Sequence, residues 1–300
     1  GHHRCRPARR RRLLGIFGSV SMYRLAAFAD EADRTLRGQI SAMKDNGIEL
    51  LEIRTVDGKN IAELTAAEAK TIRKELDGAG IAVWSVGSPM GKIGMTDDFA
   101  PHLDVFRHLL ELSDILGAGR MRIFSFYHTG LPVTAALRDG VLERLSRFLE
   151  EASGSNIILC HENEKGIYGD TASRCADIHR ALPALRAVFD PANFANCRED
   201  VQAAWELLSP YNEYLHIKDA AEDGTVVPAG EGICNIAGLI RSYRANGGTV
   251  MTLEPHLSVF DGFAALERSD GKTNIAARRY ASGREAFDAA AAALKNILNG

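Results

Sequence analysis

NIILCHE at Asn156–Glu162, LRAVFD at Leu185–Asp190, EYLHIKD at Glu213–Asp219 and TVMTLEP at Thr249–Pro255 decide how this chain folds. Each is a short apolar run, too short for a helix, that closes on polar or charged residues. Central strands of a parallel sheet read this way, because both of their faces are covered and neither meets water. Four more runs of the same kind precede them: YRLAAFA at Tyr23–Ala29, LLEIR at Leu50–Arg54, IAVWSVG at Ile81–Gly87 and MRIFSFY at Met121–Tyr127.

The segments between the runs have helical signatures. Thr65 with Glu68 forms a capping box. Leu103, Phe106, Leu109, Leu110 and Leu112 repeat at helical spacing within 98–116. Gly47, Gly80, Gly119 and Gly247 stand just before the next strand, where a helix end favours a left-handed residue. A last helix is expected from Arg284 to Leu298. Eight strand–helix units in 300 residues predict an α/β protein, a single-domain (β/α)8 TIM barrel. The rival open sheet for dinucleotides would carry Gly-x-Gly-x-x-Gly after its first strand, and this chain does not. The longest irregular stretch, 257–282, follows strand eight and reads as an active-site loop or an interface arm.

Bulk properties narrow the function. The net charge of −3 supplies no basic field, so no nucleic-acid partner is expected. The longest apolar runs are too short to span a bilayer, so no membrane association is expected either. Cys5, Cys160, Cys175, Cys197 and Cys234 are odd in number and form no Cys-x-x-Cys pair. That pattern suits reduced thiols and a cytoplasmic setting. Residues 1–21 stand apart, with His2, His3 and six arginines ahead of LLGIFGSV. A signal or transit segment has this look. A disordered basic leader or tag fits better, because Met22 offers a start directly before the first strand. The barrel is then 22–300.

Chemistry in a parallel barrel sits where strands end. The last four runs deliver Glu162, Asp190, His216 and Glu254 to one rim. Two glutamates, an aspartate and a histidine form a hard, oxygen-rich set for one divalent ion. Mn2+ suits it best, with Mg2+, Co2+, Fe2+ or Zn2+ also compatible. The bland alternative pairs these carboxylates with Lys218, Arg122 or Arg186. Metal-type residues on four successive strand ends favour the ion. Lys218 follows His216 by two and shares its face, where it meets a substrate oxygen or a carboxylate such as Glu162 or Asp219. Glu231 in a glycine-flanked turn and His256 beyond Glu254 are further candidate substrate contacts. Arg54, Ser88 and Lys92 are candidates for a polar or phosphate pocket. Trp84 and Phe124 read as barrel filling.

Taken together, HENE (His161–Glu164), FDPANF (Phe189–Phe194), HIKD (His216–Asp219), PAGEG (Pro228–Gly232) and LEPH (Leu253–His256) make the chain resemble a known family. From Met22 onward it is similar to the sugar phosphate isomerase/epimerase branch of the xylose-isomerase-like barrels. The resemblance implies a metal held by Glu162, Asp190, His216 and Glu254. In the ketose epimerases of that branch the two glutamates also serve as catalytic bases. Two positions depart from the pattern: Asn193 stands where a histidine is frequent, and Glu222 where an arginine is. Both concern substrate contacts, among which Asn193 is counted.

The expected function is therefore isomerisation or epimerisation of a small keto-sugar or sugar phosphate through a metal-stabilised enediolate, with a homodimer a fair expectation. Rival readings are a metal-dependent dehydratase or lyase of a keto-polyol, and a sugar-binding barrel without activity. A nuclease resembling endonuclease IV would need further histidine ligands where Arg54 and Asn193 stand.

Overall fold

The structure, a computed structural model, describes residues 23–266, 273–276 and 279–300. The basic leader and Met22 lie outside the described residues. Eight strands form the barrel: β1 Arg24–Ala27, β2 Leu50–Ile53, β3 Ala82–Gly87, β4 Arg120–Ile123, β5 Ile158–Glu162, β6 Arg186–Phe189, β7 Asn212–Ile217 and β8 Val250–Leu253. Every neighbour is parallel, and the pairing of β1 with β8, Arg24 to Val250 through Ala27 to Leu253, closes the ring. A helix of eight residues or more follows each strand: α1 Leu36–Asp45, α2 Ala66–Ala79, α3 Phe99–Leu116, α4 Ala135–Ala152, α5 Ala172–Ala181, α6 Val201–Leu208, α7 Ile236–Ala245 and α8 Gly283–Asn299.

The period of two along a strand explains what faces where. Leu51, Ile53, Met121, Ile123, Leu159, Phe189, Leu215, Ile217, Met251 and Leu253 point outward and join the large core shared with the helices. The alternate residues point inward. Cys160, Val188 and Tyr214 pack together inside the barrel, as do Ala26, Leu50 and Val250. Two residues beyond Cys160, Val188 and Tyr214 stand Glu162, Asp190 and His216. Apolar filling at the lower level thus places those polar side chains one layer up, at the C-terminal mouth.

Several sequence expectations change in detail. The fourth strand stops at Ile123 instead of Tyr127, and Phe126 adopts a left-handed φ of 67°. Helix α3 ends on Gly117, φ 70°, two residues before the expected Gly119. Asp190 and Asp219 also leave the barrel strands. Asp190 caps a short helix, Pro191–Asn196, by accepting from the Asn193 amide at 2.9 Å. Asp219 opens a small separate sheet with Thr225–Val227 and Asn274–Ile275. The Thr65–Glu68 capping box forms as expected.

Candidate metal centre and active site

Glu162, Asp190, His216 and Glu254 meet at the mouth. Their exposures are 2%, 0%, 0% and 3%. One donor atom from each lies within 4.8 Å of all the others. An ion bound at about 2.0–2.2 Å from each donor brings its ligands within roughly 4.4 Å of one another, so a small contraction suffices. His216 Nδ1 is 3.0 Å from Glu162 Oε1 and 3.4 Å from Glu254 Oε2. Lys218 Nζ donates to Glu254 Oε2 at 3.3 Å and stands 3.0 Å from Asp190 Oδ2, which has no hydrogen bond of its own.

The charge balance also fits an ion. Asp30, Glu31, Glu52, Glu162, Asp190 and Glu254 are buried at this end of the barrel, with Arg54, Arg122 and Lys218 as their buried cations. Acids outnumber bases here even with His216 counted as a cation, which leaves a negative surplus in a low-dielectric region that a divalent cation offsets. Asp190 and His216 titrate as that surplus dictates, whereas Glu162 and Glu254 answer to the cations beside them. Burial, reinforced by Glu254 and Glu162, pushes Asp190 up to about 7 against the pull of Lys218. Burial works against the Glu162 carboxylate too, but His216 and Arg122 outweigh it and hold the group at about 2. The His216 ring is opposed by burial yet held well above its ordinary value by Glu162 and Glu52. Burial likewise opposes the Glu254 carboxylate, which Lys218, His256 and His216 keep well below the usual range.

Glu52, in the middle of β2, is the partner of the second ring nitrogen of His216. His216 Nε2 lies 3.2 and 3.1 Å from its two oxygens. Tyr214 donates to Glu52 Oε1 at 2.7 Å and contacts Ser85 Oγ at 3.1 Å. A histidine whose Nε2–H is held by a carboxylate presents Nδ1 to the cage.

Each of the two glutamates has its second oxygen on a buried arginine. Arg122 Nη1 donates to Glu162 Oε2 at 2.8 Å. Arg54 Nη1 donates to Glu254 Oε1 at 3.2 Å, while Nε and Nη2 grip Asp30 at 2.8 Å each. Of the bland pairings, Arg122 and Lys218 do bind strand-end carboxylates, but Lys218 chooses Asp190 and Glu254 instead of Glu162 or Asp219. Arg186 pairs elsewhere, with Glu213 at 3.7 Å. Glu31, Glu254 and His256 form a second group of metal-type atoms. Arg54 bonds to both of its carboxylates, so the protein already provides that group's cation.

Arg54, Lys92, Asn193, Lys218 and His256 line the cavity over the cage, with Arg122, Phe124 and Glu164. Leu266 and Thr273, from the stretch after β8, complete its wall. The structure does not bring Ser88 or Glu231 to it. Ser88 is buried and donates to the Arg122 carbonyl at 2.6 Å, a strand-end link. Glu231 lies at the surface against Arg279, 2.8 Å away. The glycines around Glu231 serve Asp219, whose carboxylate accepts from the Gly230, Gly232 and Cys234 amides at 2.9–3.1 Å. Glu222 is exposed and away from the cavity. Glu31, Glu52, Arg122 and Glu164 escaped the sequence reading as site residues. The signal for Glu52 and Arg122 was present: each is a charge inside an apolar run, on the inward register.

A family model described as a xylose isomerase-like TIM barrel matches residues 40–279. The chain belongs to that family. No curated protein matches this family member by sequence. Among solved structures it is similar to D-psicose 3-epimerase from Clostridium cellulolyticum H10, at 14% identity and TM-score 0.70, covering 91% of this chain and 98% of that one. The probable 3-DHS dehydratase AsbF from Bacillus anthracis matches at 17% identity and TM-score 0.68, over 91% and 98%. The IOLI protein with a bound zinc atom matches at 12% and 0.71, over 92% and 98%. These likenesses concern the barrel. Among the described residues, no helix is long and apolar enough to cross a membrane.

Proposed function

We propose that this family member is a divalent-metal-dependent isomerase or epimerase of a small keto-sugar or sugar phosphate. The observation that carries the reading is the convergence of Glu162, Asp190, His216 and Glu254 from four adjacent strand ends. Mn2+ suits the donor set best, with Mg2+, Co2+, Fe2+ and Zn2+ as alternatives. When bound, such an ion polarises a carbonyl and stabilises the negative charge that follows loss of a neighbouring carbon proton.

The protein's own residues do the rest. Asp190 and His216 hold position, and Glu52 keeps the His216 ring oriented. Glu162 and Glu254 flank the cavity as proton acceptor and donor at carbon. Arg122 and Arg54 hold the second oxygens of those glutamates. Lys92, Asn193 and Lys218 are placed for substrate oxygens. A cytoplasmic setting is supported by the free, buried thiols of Cys160, Cys175 and Cys234. A homodimer remains part of the proposal.

The test is metal analysis followed by incubation with a panel of ketoses and their phosphates in deuterated water. Deuterium should enter at the carbon beside the carbonyl, and Glu162→Gln and Glu254→Gln should each lower that rate at least ~100-fold, the scale of a lost acid–base group. An ion retained with no label in any ketose would count against proton transfer. A dehydratase is the second reading, favoured by the likeness to a probable dehydratase of the same barrel type. Its product would be lighter than the substrate by one water.

A further inference from the structure

We infer that His102, on helix α3 and outside the barrel mouth, is a positioning residue: it sets the loop that presents Lys92 to the cavity, and so governs how tightly substrate is held. This rests on the reading above that Lys92 meets a substrate oxygen, and adds the group that places it. Lys92 Nζ donates to Glu164 Oε1 at 3.2 Å and to the Leu266 carbonyl at 2.7 Å, and stands 4.5 Å over the Phe124 ring. An ammonium carries three donors, so one remains for an oxygen in the cavity that Lys92 lines.

Lys92 rides on the loop between β3 and α3, residues 88–98. On one side the loop is tied to the backbone beyond β4: the carbonyls of Met90, Gly91 and Ile93 accept from the amides of Phe124, Phe126 and Tyr127 at 2.8, 3.0 and 2.9 Å. Gly91 has φ 85°, and a Cβ there would stand 2.0 Å from the Phe124 carbonyl oxygen, so the contact admits only glycine. On the other side two helix side chains take over. Arg144 of α4 donates to the carbonyls of Gly94, Met95 and Asp97 at 3.2, 3.0 and 2.9 Å, which fixes the half of the loop after Lys92. The half before it turns on Gly91, whose amide donates to His102 Nε2 at 2.8 Å.

The peptide unit ahead of Lys92 is thus held at both ends, its carbonyl by Phe124 and its amide by His102. A ring nitrogen that accepts a hydrogen bond carries no proton of its own. Phe99, Phe126 and Phe148 surround the ring at 6.4, 6.5 and 6.0 Å. Burial and the Arg144 charge hold the ring at about 4 against the pull of Asp97, so the accepting form is the one present near neutrality. An apolar side chain would fill the same space among the phenylalanines, but it would leave the Gly91 amide without an acceptor. A part-buried donor in that state turns toward water, and Lys92, the next residue, moves with it. A cation held in place beforehand spends less entropy on capturing a substrate oxygen than one that must be ordered on binding.

Lysine footprinting and kinetics on the whole chain, with Mn2+ present, test this together. Reductive methylation with formaldehyde, read peptide by peptide by mass spectrometry, should modify Lys92 slowly in the wild type and ~10-fold faster in His102→Leu, the scale of one lost hydrogen bond. His102→Gln, whose Oε1 replaces Nε2 as acceptor, should stay near the wild-type rate, which separates the lost bond from general damage to the fold. In the deuterium wash-in assay, Lys92→Met and His102→Leu should each raise KM ~10-fold with kcat within about threefold of wild type. The double variant should be no worse than Lys92→Met alone, because both changes remove the same contact. Effects that add in the double variant, a loss of kcat at unchanged KM, or Lys92 labelling that His102→Leu leaves unchanged would each overturn the inference. Wild type that washes label into no ketose overturns the proposed function instead, and the footprint then decides by itself whether His102 holds Lys92.

Discussion

Glu52 shows how a single residue can be hidden by its context. It lies inside LLEIR, fully buried, between leucine and isoleucine. Attention to strand ends finds Glu162, Asp190, His216 and Glu254, because a charge that terminates an apolar run breaks the pattern. A charge in the middle of a run breaks it as well, but its meaning depends on a partner from across the barrel, here His216, 164 positions away. Glu31 and His256 meet in the same long-range way. At this scale the account predicts that Glu52→Gln weakens metal binding by about 10–100-fold, because the Nε2 hydrogen bond that orients the ring is weakened. Calorimetric titration with Mn2+ checks this, and Tyr214→Phe should show a smaller loss of the same sign.

The elements were legible wherever local rules decide them. The capping box at Thr65 and the apolar stripe of α3 are set by neighbours three and four residues away, and both formed as read. Strand ends were less legible, because a strand stops where its barrel neighbours stop. Phe124–Tyr127 has the composition of a strand, yet β4 ends at Ile123 and the chain turns through Phe126, which packs in the core while Phe124 lines the cavity. The loop after β7 was read as a place for Glu231 to reach substrate. Its glycines answer instead to Asp219, for a Cβ on Gly232 would stand 2.2 Å from Asp219 Oδ1. Asp219→Ala should leave those amides without their acceptor and cost about 2–4 kcal/mol. Urea unfolding measures the cost, and Asp219→Asn, which keeps one acceptor oxygen, should lose less.

For the whole molecule, closure into a barrel was written in repetition: eight apolar runs, eight helical segments and no break long enough for a second domain. Closure explains why residues spread from Arg54 to His256 share one cavity. All eight strands are parallel, so all eight ends face one way, and polar residues at those ends must meet. The stretch after β8 carries no such repetition, and its described part, including Leu266 and Thr273, reaches the cavity wall through contacts that no local pattern announces. The central claim is that the last four strands together hold one divalent ion. Calorimetric titration of the stripped protein with Mn2+, beside Asp190→Ala and His216→Ala variants checked for folding by circular dichroism, tests it most directly. The account predicts one ion per chain in the wild type and affinity at least ~100-fold weaker in each folded variant, roughly 2.7 kcal/mol per ligand lost. Wild-type protein that takes up no ion, or variants that bind as tightly as wild type, would contradict it.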